Sequence, residues 1–232
     1  MKLLYSVVRY IIIVFMLAVI SCEKDTTDMG DGPPARIVFQ ITTKGMSGLP
    51  KLNGAQIDSI TLTSVKVVID EIEFESSDED SHSFELEEPF IQELNVNGII
   101  HEVQNVAVPF GVYEEMEIAV DQLKEGDGLV YTNNPELQNV SVRVEGYLDG
   151  NETEEFIFTS SMELEQEFEF DPPLILDENN PSTVITLIID LSTWFVEDNS
   201  SYLDPRIPQN KPMIEENIKN SFEVFEDEED DD

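Results

Sequence analysis

The sequence predicts an all-β protein: an antiparallel β-sandwich completed by one short C-terminal amphipathic helix and an acidic tail. Three observations predict it. Apolar residues recur at every second position in nine or so separate stretches, the pattern of strands that bury one face. Polar turn segments divide these stretches, as at Gly126-Asp127-Gly128, Asn133-Asn134-Pro135, Asp149-Gly150-Asn151 and residues 177–181, at the spacing that antiparallel connections need. No helical pattern of about ten to fifteen residues interleaves them, which argues against parallel βαβ units. With 232 residues, 41% hydrophobic and 9% aromatic, the chain has apolar material for a sizeable core.

The first element is an export signal over residues 1–21. Lys2 and Arg9 precede ten uncharged residues, 11–20, which end at Ser21 and Cys22 before Glu23, Lys24 and Asp25. A helix needs about 20 apolar residues to cross a bilayer, so this run reads as a secretory signal and not as a spanning anchor. Val19-Ile20-Ser21-Cys22 resembles the lipobox of bacterial lipoproteins, and Cys22 is the chain's one cysteine. The resemblance implies that Cys22 is the lipid-attachment residue, its thiol alkylated by diacylglycerol before cleavage. At about 0.8 kcal/mol per buried methylene, two or three acyl chains make such attachment effectively permanent. Cys22 followed by charged residues also resembles the surface-exposed lipoproteins of the Bacteroidetes. Residues 22–34, poor in bulky apolar side chains and carrying Gly30, Gly32, Pro33 and Pro34, form the lipidated tether.

Residues 35–196 read as the sandwich domain. Ile37, Phe39 and Ile41 alternate in the first strand, and Val65, Val67 and Ile69 in the second. Ile72 and Phe74 then fall on the opposite parity, which calls for a bulge near Asp70 and Glu71. Phe84 and Leu86, then Phe90, Ile91, Leu94 and Val96, suggest a strand pair or hairpin edge. After Pro109-Phe110-Gly111, Val112, Glu114, Met116, Ile118 and Val120 are expected on one face, with Tyr113, Glu115, Glu117 and Asp121 on the other. Further strands run through Val140, Val142 and Val144; Phe156 and Phe158; Leu164, Phe168 and Phe170; and Ile185, Leu187, Ile189 and Leu191. Residues 197–225 form an extension whose Ile214, Ile218, Phe222 and Phe225 spacing, Pro212 start and early Glu215 and Glu216 predict the helix. Residues 226–232, all acidic, are expected to be a disordered tail.

The strand at residues 62–74, the Pro109-Phe110-Gly111-Val112-Tyr113 turn, and residues 186–194 followed by the helix resemble an uncharacterised family of bacterial exported lipoproteins with a domain of unknown function. That resemblance implies an immunoglobulin-like or prealbumin-like sandwich. A Tyr at such a strand entry often donates its hydroxyl to backbone at the corner between sheets, so Tyr113 reads as structural. Trp194, the one tryptophan, reads as a core plug.

Fifty Asp and Glu against twelve Lys and Arg give a formal charge of -38, and removal of Lys2 and Arg9 takes it to 10 minus 50, or -40. Nucleic acid, which needs clustered cations to displace its counterions, is excluded as a partner. With two histidines and one cysteine, no Cys/His zinc cluster assembles. His82 in an acidic loop and His101 at a strand start supply no recognisable nucleophile system, and Gly45-Met46-Ser47-Gly48 lacks the spacing of a nucleophile elbow. No catalytic and no metal residue is assigned. Asp78-Glu79-Asp80, Asp127 and the acidic tail offer oxygens that calcium favours, but no segment matches an Asp-x-Asp-x-Asp-Gly loop. Glu163, Glu165, Glu167 and Glu169 alternate with apolar residues as a solvated strand face does. No cofactor is expected, with calcium the one to consider. The functional expectation is a non-enzymatic, lipid-anchored protein of the cell envelope, at the outer membrane. It would contact the membrane through its anchor and bind or scaffold an envelope protein or a glycan. The alternatives are a carboxylate-dependent glycoside hydrolase and a calcium-stabilised adhesion module.

Overall fold

The computed structural model of the chain describes residues 35–44, 57–76, 83–86, 88–96, 101–198 and 201–226. The signal, Cys22 and the tether, Gly45 to Gly48, Asp78-Glu79-Asp80, His82 and residues 227–232 lie outside them.

The longest strand, β2 (Ile60–Ser76), organises the larger sheet. It pairs antiparallel with β3 (Phe84–Leu86), β4 (Phe90–Leu94), β6 (Gly111–Val120) and β7 (Val142–Leu148). On the far sides, β8 (Glu155–Ser160) joins β7 and β9 (Leu164–Leu176) joins β6. The smaller sheet has the order β13-β10-β1-β5, made of β13 (Phe222–Glu226), β10 (Ser182–Asp190), β1 (Ala35–Lys44) and β5 (His101–Val108). A ribbon of β11 (Val196–Asp198) and β12 (Ser201–Tyr202) stands beside them. One buried cluster takes Ile37, Ile185, Leu187 and Ile189 from the smaller sheet and Val65, Ile72, Met116 and Val144 from the larger. The protein is an all-β sandwich.

The expected bulge is present: the β2–β6 register shifts between Ile69 and Glu71. The extra residue restores Ile72 and Phe74 to the core side. A second shift, between Tyr113 and Glu115 of β6, corrects the expected faces. It turns Tyr113 inward with Met116, Ile118 and Val120. There its hydroxyl donates to Pro109 O at 2.9 Å and its ring meets Phe74 edge-on, with centroids 5.7 Å apart. Burial pushes the Tyr113 phenol up to about 12, so it remains a neutral donor across the ordinary pH range.

Three further expectations are corrected. β3 and β4 do not pair with each other; each pairs with β2. The β1–β10 pair is parallel, from Arg36 opposite Ser182 to Lys44 opposite Asp190. The strands of the larger sheet lie between these two in the chain, so no tight turn dictates an antiparallel return. The C-terminal helix, α2 (Lys211–Lys219), is shorter than the apolar spacing suggests. It buries Ile214 and Ile218, places Glu215 and Glu216 beyond its first turn, and stops before Asn220. Phe222 and Phe225 belong to β13, and Glu226 closes that strand. Ser221, buried at the break, donates to Ile218 O at 2.7 Å and accepts the indole N–H of Trp194 at 2.8 Å. That bond satisfies the one polar atom of the fully buried Trp194.

The β7–β8 hairpin turns at Asp149 and Gly150, both at positive φ (55° and 66°), the geometry its Asp-Gly pair favours. Within the hairpin, a Cβ at Gly146 would lie 2.2 Å from Thr61 O and 2.9 Å from the Phe156 ring. Gly146→Ala is therefore expected to force the β2–β7 ladder apart and lower stability by about 3 kcal/mol, measured as a fall in the urea midpoint at constant slope.

Candidate functional site

The outer face of the larger sheet carries two unlike regions, separated by the bulge in β2. Val120 at the end of β6 faces Ile69, and Val142 at the start of β7 faces Val67. The chain makes an excursion over residues 121–141 between these two points. Val68, which points away from the main core, is covered by this excursion. With Leu123 and Leu137 it forms a second, small buried cluster, against which Ile91, Val130, Tyr131 and Val140 pack. Backbone bonds pin the excursion to the sheet: Val68 N donates to Ser141 O at 2.8 Å, and Asn139 N to Leu123 O at 2.8 Å.

The excursion contains a helix that the polar turn residues concealed, α1 (Leu129–Asn133). The Thr132 hydroxyl donates to Gly128 O at 2.8 Å and the Asn134 amide to Val130 O at 2.8 Å, closing both ends of the single turn. Between α1 and β4 lies an open groove of about 430 Å³, bordered by Phe90, Ile91, Leu129 and Val130 with Lys66, Glu93 and Asn133 as polar members. Leu129 is 76% exposed at its rim. Lys66 Nζ reaches Glu136 Oε1 at 2.8 Å, and that hydrogen bond holds the Glu136 carboxyl below its ordinary range.

The other region is a carboxylate array. Register places Glu85 opposite Glu73, Glu73 opposite Glu117 and Glu117 opposite Glu167. Glu75, Glu115 and Glu169 form the neighbouring rung. Burial pushes the carboxyls of Glu115 and Glu117 up, and the charges of Glu167 on the first and of Glu165 and Glu167 on the second add to it. At the border with the excursion, burial also raises Asp70 against the opposing pull of Lys124. Among the described residues, no group of three or more His, Cys, Asp or Glu side chains is arranged to hold a metal ion. Asp127 serves the excursion itself, its carboxylate accepting the Lys124 backbone N–H.

None of the candidate residues of the sequence is among the described residues that border the groove. Cys22 and His82 are outside the described residues, and His101 opens β5 on the other sheet. Glu163, Glu165, Glu167 and Glu169 are exposed, as a solvated face requires. Phe90 and Ile91 read in the sequence only as members of a strand, and Leu129 only as part of the interruption of strand alternation between Val120 and Val140.

No family model matches the chain and no curated protein is similar to it. Among solved structures, MbnP from Methylosinus trichosporium aligns over 83% of this chain and 98% of its own, with 10% identity and a TM-score of 0.39.

An exposed leucine contributes little to folding, so Leu129→Ala is expected to leave unfolding stability within about 0.5 kcal/mol of the parent. Thermal melts check this, and an unchanged midpoint separates any later effect on binding from loss of fold.

Proposed function

We propose that the chain is a lipid-anchored protein of the cell envelope that binds a neutral glycan in the groove between α1 and β4 and performs no catalysis of its own. The groove carries this reading. It sets an aromatic and three aliphatic side chains, Phe90, Ile91, Leu129 and Val130, beside the amide of Asn133 and the charged Lys66 and Glu93. A sugar ring offers matching apolar faces and hydroxyl edges, and specific pockets combine an apolar lining with a few polar groups in this way. A chain of formal charge -38 repels anionic ligands, which favours an uncharged one. Glu136 beside the groove is stabilised as a carboxylate by Lys66, the reverse of the raised pKa that a glycosidase acid needs.

The anchor rests on the lipobox resemblance and on the position of Cys22 at the end of the export signal. In cells fed labelled palmitate, the parent protein should take up label and partition with membranes, while Cys22→Ser should do neither. An unmodified Cys22 thiol by mass spectrometry overturns the anchor.

Binding is tested on a glycan array with protein beginning at residue 23. Array signal should fall at least tenfold in Leu129→Ala and in Phe90→Ala, with the Leu129→Ala melting temperature unchanged. Capture of a polypeptide with no glycan signal overturns the glycan reading, and release of cleaved sugar overturns the non-catalytic one.

A further inference from the structure

We propose that the protein forms a symmetric dimer through β8, which pairs antiparallel with β8 of a second copy about a twofold axis at Ile157 and joins the two larger sheets into one. The interface is independent of the groove. β8 ends the strand order of the larger sheet, and among the described strands it pairs with β7. Leu148 N donates to Glu154 O at 3.1 Å just before β8 begins, which sets the phase of the ladder. In that phase Phe156, Phe158 and Ser160 exchange their backbone bonds with β7, and the N–H and C=O groups of Glu155, Ile157 and Thr159 point to the open edge. The side chains of the same three residues lie on the outer face, where Ile157 is 59% exposed.

The opposite end of that sheet is guarded, and β8 is not. An open edge recruits further strands unless proline, a bulge or edge charges prevent it. β9 carries exposed Pro172 and Pro173 where its register against β6 shifts, and an outward row of Glu165, Glu167 and Glu169. β8 reads Glu-Phe-Ile-Phe-Thr-Ser, without proline, and its register against β7 runs without a shift.

This strand complements its own reverse. Centred on Ile157, antiparallel pairing sets Ile157 against Ile157 of the second copy and Glu155 against Thr159 of the second copy. No acid opposes an acid, and the Thr159 hydroxyl is a donor for the facing carboxylate. The match extends one strand further. Arg143 of β7, held by Glu145 at 2.8 Å, lies opposite Thr159, so one row across the joined sheets runs from Arg143 through Thr159 to Glu155 of the second copy. In-register parallel pairing would instead bring the two Glu155 side chains together, which is destabilising. Charge thus selects a second copy of this chain, in this direction, as the occupant, and such a self-complementary contact closes as a dimer. Each copy carries a formal charge of -38, so the two repel as wholes and the contact strengthens as salt screens that repulsion.

Sedimentation velocity of protein beginning at residue 23, taken up to about 100 µM, tests the dimer by mass action. The parent should pass from monomer to dimer as its concentration rises, and should do so at lower concentration in about 0.5 M salt than in about 0.05 M. Ile157→Lys sets two like charges across the axis and should weaken association at least tenfold. Glu155→Lys, which brings a cation into the row of the second copy's Arg143, should weaken it as well. Ile175→Lys, at an exposed apolar residue of β9, should leave it unchanged. Both β8 positions are exposed, so their variants should keep the parent melting temperature within a few degrees, and a variant that melts early is set aside in favour of the other. A parent that stays monomeric at both salt concentrations, a dimer that the folded β8 variants retain, or a dimer that Ile175→Lys also dissolves overturns the proposal.

Discussion

The backbone ladder of β2 is the constraint from which the larger sheet is built. Four other strands hydrogen-bond to it, so its register sets which side chains of five strands face inward. Side chains alternate with a period of two, and a slip of one residue would turn Val65, Val67 and Ile69 out to water. The parity of the buried residues changes twice along β2, at the Leu62–Ser64 shift opposite β7 and at the Ile69–Glu71 shift opposite β6, and the second keeps Ile72 and Phe74 buried. The same discontinuity separates the end of β6 from the start of β7, and so creates the opening through which the excursion leaves the sheet. Groove and carboxylate array are both consequences of how β2 bends.

That strand also carries the conflict in the molecule. Like charges placed directly opposite across a sheet are destabilising, yet four strands, β3, β2, β6 and β9, align their glutamates in rungs. The inner face offsets this. Behind the rungs Ile72, Phe74, Met116 and Ile118 are buried, each contributing about 1.5–3 kcal/mol by leaving water. Among the described residues, the ion pairs of the cations lie elsewhere: Lys66 pairs with Glu136, Lys124 with Asp121, Arg143 with Glu145, Arg206 with Asp204 and Glu154, and Lys211 with Glu215. On this face burial and the neighbouring acids push the carboxyls of Glu115 and Glu117 up.

The smaller sheet is completed by the end of the chain. Trp194 and Phe195 lie in the shared core, with Phe195 edge-on to both Phe156 and Phe158. α2 presses Ile214 and Ile218 into the same core, and the Asn217 amide donates to the carbonyls of Trp194 and Val196 at 3.2 and 2.8 Å. β13 then returns antiparallel to β10, from Phe222 opposite Ile189 to Glu226 opposite Ile185. The segment that reads as an appendage in sequence is thus a structural edge of the sandwich.

Local information settled much of this architecture. Period-two alternation located the strands around Val65, Val142, Phe156 and Ile185, and the change of parity at Asp70 and Glu71 exposed the bulge, because burial of one face writes itself directly into residue order. Asp149-Gly150 marked a hairpin, and Tyr113 and Trp194 declared structural roles through chemistry that each residue carries alone. The outward row at Glu165, Glu167 and Glu169 was equally legible. The hidden features depended on partners distant in the chain. The parallel β1–β10 pairing, the inward turn of Tyr113, the conversion of Phe222 and Phe225 from helix to strand, and the meeting of α1 with β4 each required a second segment to be in place. The alignment of Glu85, Glu73, Glu117 and Glu167 is of the same kind. Composition announces many acids, but only backbone register determines which of them stand side by side, because hydrogen bonding between strands, and not spacing within one, sets the distances between their charges.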